Sequence, residues 1–309
     1  MAGIERLLRV TDAERAAILK GFDVTDQEFQ EKVTSLREWL RRSDHLPREN
    51  AERNLRVALL NSKLSLERAK QWIENYYRIK TLYADELYDN MVPASEKYRE
   101  AKSYVVTVPL PKLTPDLCRI TVFKLTDPEG RASDAQCYHL VGAMISEIRI
   151  TTDFFASNIL VIDLEQYCWK ILLKFTPTIN QKVTDIFKSV RYRIQEIHFV
   201  NLPPVTEKLM VFFKSIFPSK IAGWMYLHKD VDSLWERIPR ENLPSDYGGA
   251  ERSLSELYGD WCSQIEGPYA EFFEKLREAK STKKYETGDS HQVAPGVALE
   301  GSFRKLEID

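Results

Sequence analysis

An α/β fold with a mostly parallel sheet, helices around an apolar cavity and an all-helical bundle in front is predicted by this sequence. Three observations predict it. The first is a set of short apolar runs: Asn-Ile-Leu-Val-Ile-Asp-Leu-Glu (158–165), Glu-Ile-His-Phe-Val-Asn-Leu (196–202) and Ile-Ala-Gly-Trp-Met-Tyr-Leu-His (221–228). The second is that helix-patterned segments separate these runs, and strands alternating with helices build parallel sheets with right-handed crossovers. The third is a change of composition near residue 100, before which the pattern is helical. Three parts follow: a helical domain over 1–100, the α/β domain over 101–279, and a tail over 280–309.

Each element has its own signal. Phe29, Val33, Leu36 and Leu40 recur at helical spacing over 26–41, and Arg37, Arg41 and Arg42 suit the negative end of that helix. Pro47 interrupts the chain, and a second helix covers 48–60. Ser65 caps a third, whose Leu66, Ala69, Ile73, Tyr76 and Tyr77 share a face; with Trp72 these aromatics read as core. The β-branched runs 103–109 and 118–125 are strands, bounded by Pro109, Pro111, Pro115 and an Asp127-Pro128-Glu129-Gly130 turn. Ser133 or Asp134 caps a helix to residue 150 with Leu140, Val141, Met144, Ile145 and Ile148 apolar. The 158–165 run is almost continuously apolar, as a strand covered on both faces requires.

Thr176-Pro177 starts the next helix with a capping hydroxyl and a proline in the first turn; Ile179, Val183, Ile186, Phe187 and Val190 follow on one stripe. After the 196–202 strand, Leu209, Phe212, Phe213 and Ile216 keep the i, i+3, i+4, i+7 spacing. Met210 and Phe217 widen that stripe past what a surface helix needs. Residues 243–249 are turn-rich, and one long helix over 251–279 carries Leu254, Leu257, Trp261, Ile265, Tyr269, Phe272, Phe273 and Leu276. The polar 280–309 tail is partly wrapping or loose.

Composition narrows the function. Hydrophobic residues at 43% and charged ones at 29% are ordinary for a globular protein, and a net charge of −2 argues against nucleic acid as a partner. Cys118, Cys137, Cys168 and Cys262 form no Cys-x-x-Cys pair, so neither metal nor disulfide framework is expected, which fits a cytoplasmic protein. Arg6, Arg9, Asp12, Glu14 and Arg15 exclude an apolar leader core, and no eighteen-residue apolar window predicts a membrane span.

Catalytic and cofactor motifs are missing. There is no Gly-x-Ser-x-Gly elbow, phosphate-binding loop or dinucleotide fingerprint. His45, His139, His198, His228 and His291 are isolated in sequence, and His198 and His228 within strand-like runs read as hydrogen-bonded core. Asp163 and Glu165 read as a structural pair at a strand end. No catalytic residue, metal site or cofactor is assigned, and the protein is not expected to be an enzyme.

Several separated motifs carry a resemblance. Val-Ile-Asp-Leu-Glu (161–165), Ile-His-Phe-Val-Asn-Leu-Pro (197–203), Phe-Phe-Lys-Ser-Ile-Phe-Pro-Ser-Lys-Ile (212–221) and Leu-Pro-Ser-Asp-Tyr-Gly-Gly (243–249) stand in the order of the CRAL-TRIO family. Lys63 to Lys70 with Tyr76-Tyr77 is similar to that family's helical N-terminal domain, and the likeness covers 25–275. The Gly-Ser-Phe-Arg-Lys-Leu tail resembles the insect branch close to α-tocopherol-transfer and retinaldehyde-binding proteins. The resemblance implies a carrier of one small hydrophobic ligand, such as a retinoid, tocopherol, carotenoid or other terpenoid, with transient membrane contact through a movable lid helix. It implies pocket positions at Ala143, Ser146, Ile162, Val183, Ile186, Phe187, Ile194, Ile197, Leu209, Phe212, Phe213 and Ile216. Ser146 would be the polar anchor, and Phe217, Lys214 and Lys220 the membrane or phosphate contacts.

Departures from the family pattern weigh against phosphoinositide dependence. Where phosphoinositide-exchanging members carry arginines in Phe-Leu-Arg-Ala-Arg-Lys-Phe, this chain has Leu60 and Ser62; Gln195 and Trp224 replace two further arginines, and Lys220 is kept. A phosphate needs several charge-assisted donors, although Arg191 and Arg193 could substitute. Phospholipid or phosphoinositide transfer is the alternative reading, and a lipid-processing enzyme using Asp163 and His198 is a third.

Overall fold

The computed structural model describes residues 3–190, 192–203, 206, 210, 211, 214 and 223–285. Its N-terminal third is helical: α1 (Ile4–Leu7), α2 (Asp12–Lys20), α3 (Asp26–Arg41), α4 (Arg48–Arg53), α5 (Leu55–Asn61), α6 (Leu66–Leu82) and α7 (Glu96–Tyr104). Local chemistry explains where these begin. Thr11 with Glu14 and Thr25 with Glu28 form reciprocal capping boxes, and the Ser65 hydroxyl accepts from the Arg68 amide. The stripe Phe29, Val33, Leu36 and Leu40 is buried, and Trp72, Tyr76 and Tyr77 are core as expected. The helix expected over 48–60 is broken at Asn54 into α4 and α5. The boundary drawn at residue 100 falls inside α7.

Among the described residues one sheet has the order β1-β2-β3-β4-β5, with β1 (Val105–Leu113), β2 (Cys118–Leu125), β3 (Ser157–Asp163), β4 (Ile194–Val200) and β5 (Met225–Leu227). β1 runs antiparallel to β2, and the other neighbours are parallel. The first strand continues past its expected end at Pro109, because an edge strand tolerates Pro109 and Pro111 where a central one would lose ladder bonds. The register shifts between Pro109 and Leu113. Of the 221–228 run, the strand occupies Met225–Leu227.

Asp134 opens a short 3-10 turn, Ala135–Tyr138, before α8 (Leu140–Thr152). The Thr176 hydroxyl accepts from the Ile179 amide at the start of α10 (Pro177–Val190), as the Thr-Pro pair predicts; α9 (Lys170–Leu173) lies between β3 and α10. Past β5 come α11 (Asp232–Trp235), α12 (Leu254–Glu266) and α13 (Ala270–Glu278). The single helix expected over 251–279 is two, because Gly267-Pro268 interrupts it; proline lacks the amide needed to continue the ladder.

Two polar knots tie these layers together. Arg119 and Arg149, both buried, converge on the buried Asp153: Arg119 Nη2 is 2.8 Å from Oδ1 and Arg149 Nε 3.0 Å from Oδ2. Arg119 also donates to the Leu110 and Pro111 carbonyls, and Arg149 to Thr121 and Asn158. Burial alone would raise the Asp153 carboxyl, but the two guanidiniums hold it below its ordinary range. The second knot joins the helical domain to α13. Lys80, fully buried on α6, donates to the Leu276 carbonyl at 2.6 Å, and Tyr76 donates to the buried Glu147 of α8. Burial pulls the Lys80 ammonium down to about 7, with Glu147 opposing. Beyond α13, the Ser281 amide donates to Thr81 Oγ1 and the Thr282 amide to the His45 carbonyl; positions 286–309 lie outside the described residues.

Candidate functional site

Strand order fixes which side of the sheet is special. The parallel strands follow one another in sequence, so right-handed crossovers place α8 and α10 on the same side. Row by row, that side carries Thr107, Phe123, Ile162 and Phe199, then Pro109, Thr121, Leu160 and Ile197 with Met225 beyond. α8 touches it directly: a side chain at Gly142 would stand 3.1 Å from Thr107 Oγ1.

α10 is held differently. Its principal neighbour is α6, not a strand. Tyr83 donates to Asp185 at 2.8 Å, and Trp72 Nε1 to the Val190 carbonyl at 3.0 Å. Thr184, Asp185, Ser189 and Val190 are therefore the buried side chains of α10, while Val183, Ile186 and Phe187 are only half-buried. Ile186 and Phe187 pack toward the core of the sheet without being sealed by it. Opposite them Phe123, Leu160 and Met225 are half-buried too, as are Ala143 and Ser146 on α8. An apolar surface on three elements is gathered but not closed, in an interior where side chains normally interlock. That arrangement has no catalytic chemistry; it can hold an apolar molecule.

The expected pocket residues divide accordingly. Ala143, Ser146, Val183, Ile186 and Phe187 border this surface, and Ile162 lies on the same sheet face at 5% exposure. Ile194 and Ile197 are buried in the sheet core. Leu209, Phe212, Phe213, Ile216, Phe217 and Lys220 lie outside the described residues, as does Arg191; Lys214 is exposed. Sequence reasoning missed Phe123, Leu160 and Met225. Alternation along each strand would have placed them on the face of Ile162 and Ile197.

The polar candidates are structural. His198 Nδ1 pairs with His228 Nε2 at 2.9 Å and its Nε2 with Glu196 at 2.9 Å; burial pulls the ring down to about 3, so it is neutral at pH 7. Asp163 accepts from Tyr247, Asn201 and the Glu165 amide and pairs with Lys124. Gln195 accepts from Ser157, and Leu60 and Ser62 are buried. A small basic grouping does exist: burial, then Arg193 and Arg68, lower the Lys63 ammonium.

A second surface feature lies on the rim where the parallel strands end. The exposed large apolar side chains among the described residues are Trp169 (59%), Leu173 (68%), Val211 (72%) and Leu227 (48%). All stand on segments at or just past the C-terminal ends of β3, β4 and β5. Lys170, Lys214 and Lys229 are exposed beside them in the chain.

A helical domain joined to a parallel sheet with open apolar surface on its crossover side defines an α/β domain built to hold a hydrophobic ligand. Residues 108–249 match the CRAL/TRIO domain, and 25–98 match the Pinta-like UBA domain. The α/β part of the chain thus carries a match to the CRAL/TRIO domain. Among curated proteins, alpha-tocopherol transfer protein-like proteins of Homo sapiens and Pongo abelii are each 27% identical over 199 residues, 62% of this chain and 56% of theirs. A Mus musculus protein of the same name is 35% identical over 82 residues, 26% of this chain and 24% of its own. The chain therefore spans little more than half the length of the first two relatives. Among solved structures, the crystal structure of Sfh5 matches with a TM-score of 0.45 and 12% identity, covering 81% of this chain and 92% of that one.

Proposed function

We propose that the protein is a cytoplasmic, non-catalytic carrier that holds one small hydrophobic lipid and exchanges it with membranes. The observation that supports this best is α10, tied through its polar side to α6 and leaving Ile186 and Phe187 half-buried toward the sheet. Burying a long apolar chain there contributes about 0.8 kcal/mol per CH₂. A retinoid, tocopherol, carotenoid or other terpenoid fits that chemistry, and the names of the relatives point the same way. The segment with Leu209, Phe212, Phe213 and Ile216 acts as the movable lid in this reading. Native mass spectrometry of the purified protein, followed by organic extraction, tests it: one neutral lipid per chain is expected. An empty protein that also takes up no fluorescent lipid would sink it.

Docking on the bilayer falls to the rim. Trp169 and Leu173 are apolar anchors with Lys170 beside them, the combination that suits a helix lying at a lipid interface. Phe217, Lys214 and Lys220 extend this contact in the same reading. Trp169→Asp with Leu173→Asp should reduce co-sedimentation with anionic vesicles about tenfold, leaving thermal stability unchanged because both side chains are exposed. Equal sedimentation would remove the rim from the mechanism. A second reading, recognition of a phosphorylated headgroup, rests on Lys63, Arg68 and Arg193; headgroup-dependent ligand release that Lys63→Ala or Lys220→Ala abolishes would favour it.

A further inference from the structure

One face of α6 reaches both helices that border the open apolar surface. Trp72 and Tyr76 lie on α6 and Tyr83 at its C-cap, and the spacing 0, 4, 11 aligns them along one stripe. All three are buried. Each gives its polar hydrogen to a neighbour: Trp72 Nε1 donates to the Val190 carbonyl at 3.0 Å, Tyr83 to Asp185 Oδ2 at 2.8 Å, and Tyr76 to Glu147 of α8. Along α6 the two bonds to α10 thus bracket the bond to α8. The acceptors stand next to residues that border the apolar surface: Glu147 follows Ser146, and Asp185 precedes Ile186 and Phe187. Donors and acceptors are braced in turn. Trp72 and Tyr76 stack with ring centroids 5.3 Å apart, and Gln181 donates to the other Asp185 oxygen at 2.9 Å. Asn61 of α5 adds a longer bond, 3.4 Å, to the Val190 carbonyl.

We propose that α6 is the gauge of the site: its aromatic donors fix the interval between α8 and α10, and with it the girth of lipid that the carrier accepts. This concerns selectivity within the carrier reading above and rests on it. The reason lies in the kind of force each contact supplies. Apolar contact is non-directional and favours closure, so two helices held by it alone would slide together until their side chains interlocked at the density usual for interiors. Hydrogen bonds have a narrow range of length and angle. Those from α6 hold α10 by the face opposite Val183, Ile186 and Phe187, and hold α8 by the flank beside Ala143 and Ser146. The apolar side chains of the two helices are thereby kept half-buried instead of meeting. A wall set in advance favours a molecule that fits it and disfavours one that must displace it. Trp72, Tyr76 and Tyr83 are positioning residues in this scheme, acting on the lipid through α8 and α10.

The test uses the full-length protein stripped of lipid and two single-hydroxyl probes of unlike girth, octadecanol with its slender chain and cholesterol with its fused rings. The unmodified protein should favour one of them about tenfold. Tyr83→Phe removes a single oxygen and should move that ratio about fivefold toward one, the scale of one buried hydrogen bond. Trp72→Phe should do the same independently. Asp185→Asn keeps an acceptor for Tyr83 and should retain the ratio. Ile18→Ala, in the core on α2 and party to none of these bonds, should lower the melting temperature and leave the ratio alone. A ratio near one in the unmodified protein overturns the proposal and leaves the carrier standing. So does a ratio unmoved in both aromatic variants, or one that Ile18→Ala shifts as far as Tyr83→Phe does, since general loosening would then explain it. If neither probe binds, the carrier reading fails and this proposal with it.

Discussion

Asp153→Ala is expected to destabilise the protein by about 3–5 kcal/mol, the usual cost of breaking a buried ionic group by removing one partner. The carboxylate is the only group at the knot that neutralises Arg119 and Arg149 at hydrogen-bond distance among the described residues, and all three side chains are buried. Without it two guanidiniums, which cannot shed their protons, face each other beneath β1 and β2. The pH dependence follows from the carboxyl being held below its ordinary range in the folded state. Its contribution is full above the unfolded value of about 4 and is lost as pH falls through the depressed folded value. Urea titrations at pH 7 and near pH 3 should show the gap between the unmodified protein and the variant shrinking in acid. A gap below about 1 kcal/mol at pH 7 would mean that the knot adds little.

The second large effect concerns the ligand. Ile186→Asp should weaken uptake of any neutral lipid at least a hundredfold, because a bound chain would strip water from an unpaired carboxylate. The fold should survive with a loss of less than about 1 kcal/mol, since the position is half-buried and α10 is secured through its other side. Binding measured by quenching of a fluorescent lipid, together with a melting curve, separates the two effects. Undiminished uptake would show that α10 is not a wall of the site.

Much of this architecture could be read in advance where the signal was local. The buried strands β3 and β4 are near-continuous apolar runs, and the Thr176-Pro177 helix start is a property of two neighbouring residues. The helix breaks were local too, yet Asn54 and Gly267-Pro268 were overridden by apolar spacing that runs straight through them. The orientation of α10 was not accessible. Its stripe of Val183, Ile186 and Phe187 reads as a face to be sealed, and what turns Thr184, Asp185 and Ser189 inward is Tyr83 and Trp72 in a different domain. Ala143 and Ser146 follow from family likeness and not from spacing. Trp169 and Leu173 belong to a run whose Ile171 is buried, and only the fold decides which members face out.

The bond from Lys80 to the Leu276 carbonyl bears on how the polypeptide emerges from a ribosome. The acceptor is nearly two hundred positions downstream of the donor, so a nascent helical domain with α6 in place leaves the Lys80 ammonium in water until Leu276 is made. Vectorial synthesis thus closes this seam last: α6 is covered at Lys80 only after α13 has cleared the exit tunnel. A nascent chain stalled before residue 276 should be digested by protease within its helical domain, and the released full-length chain should resist.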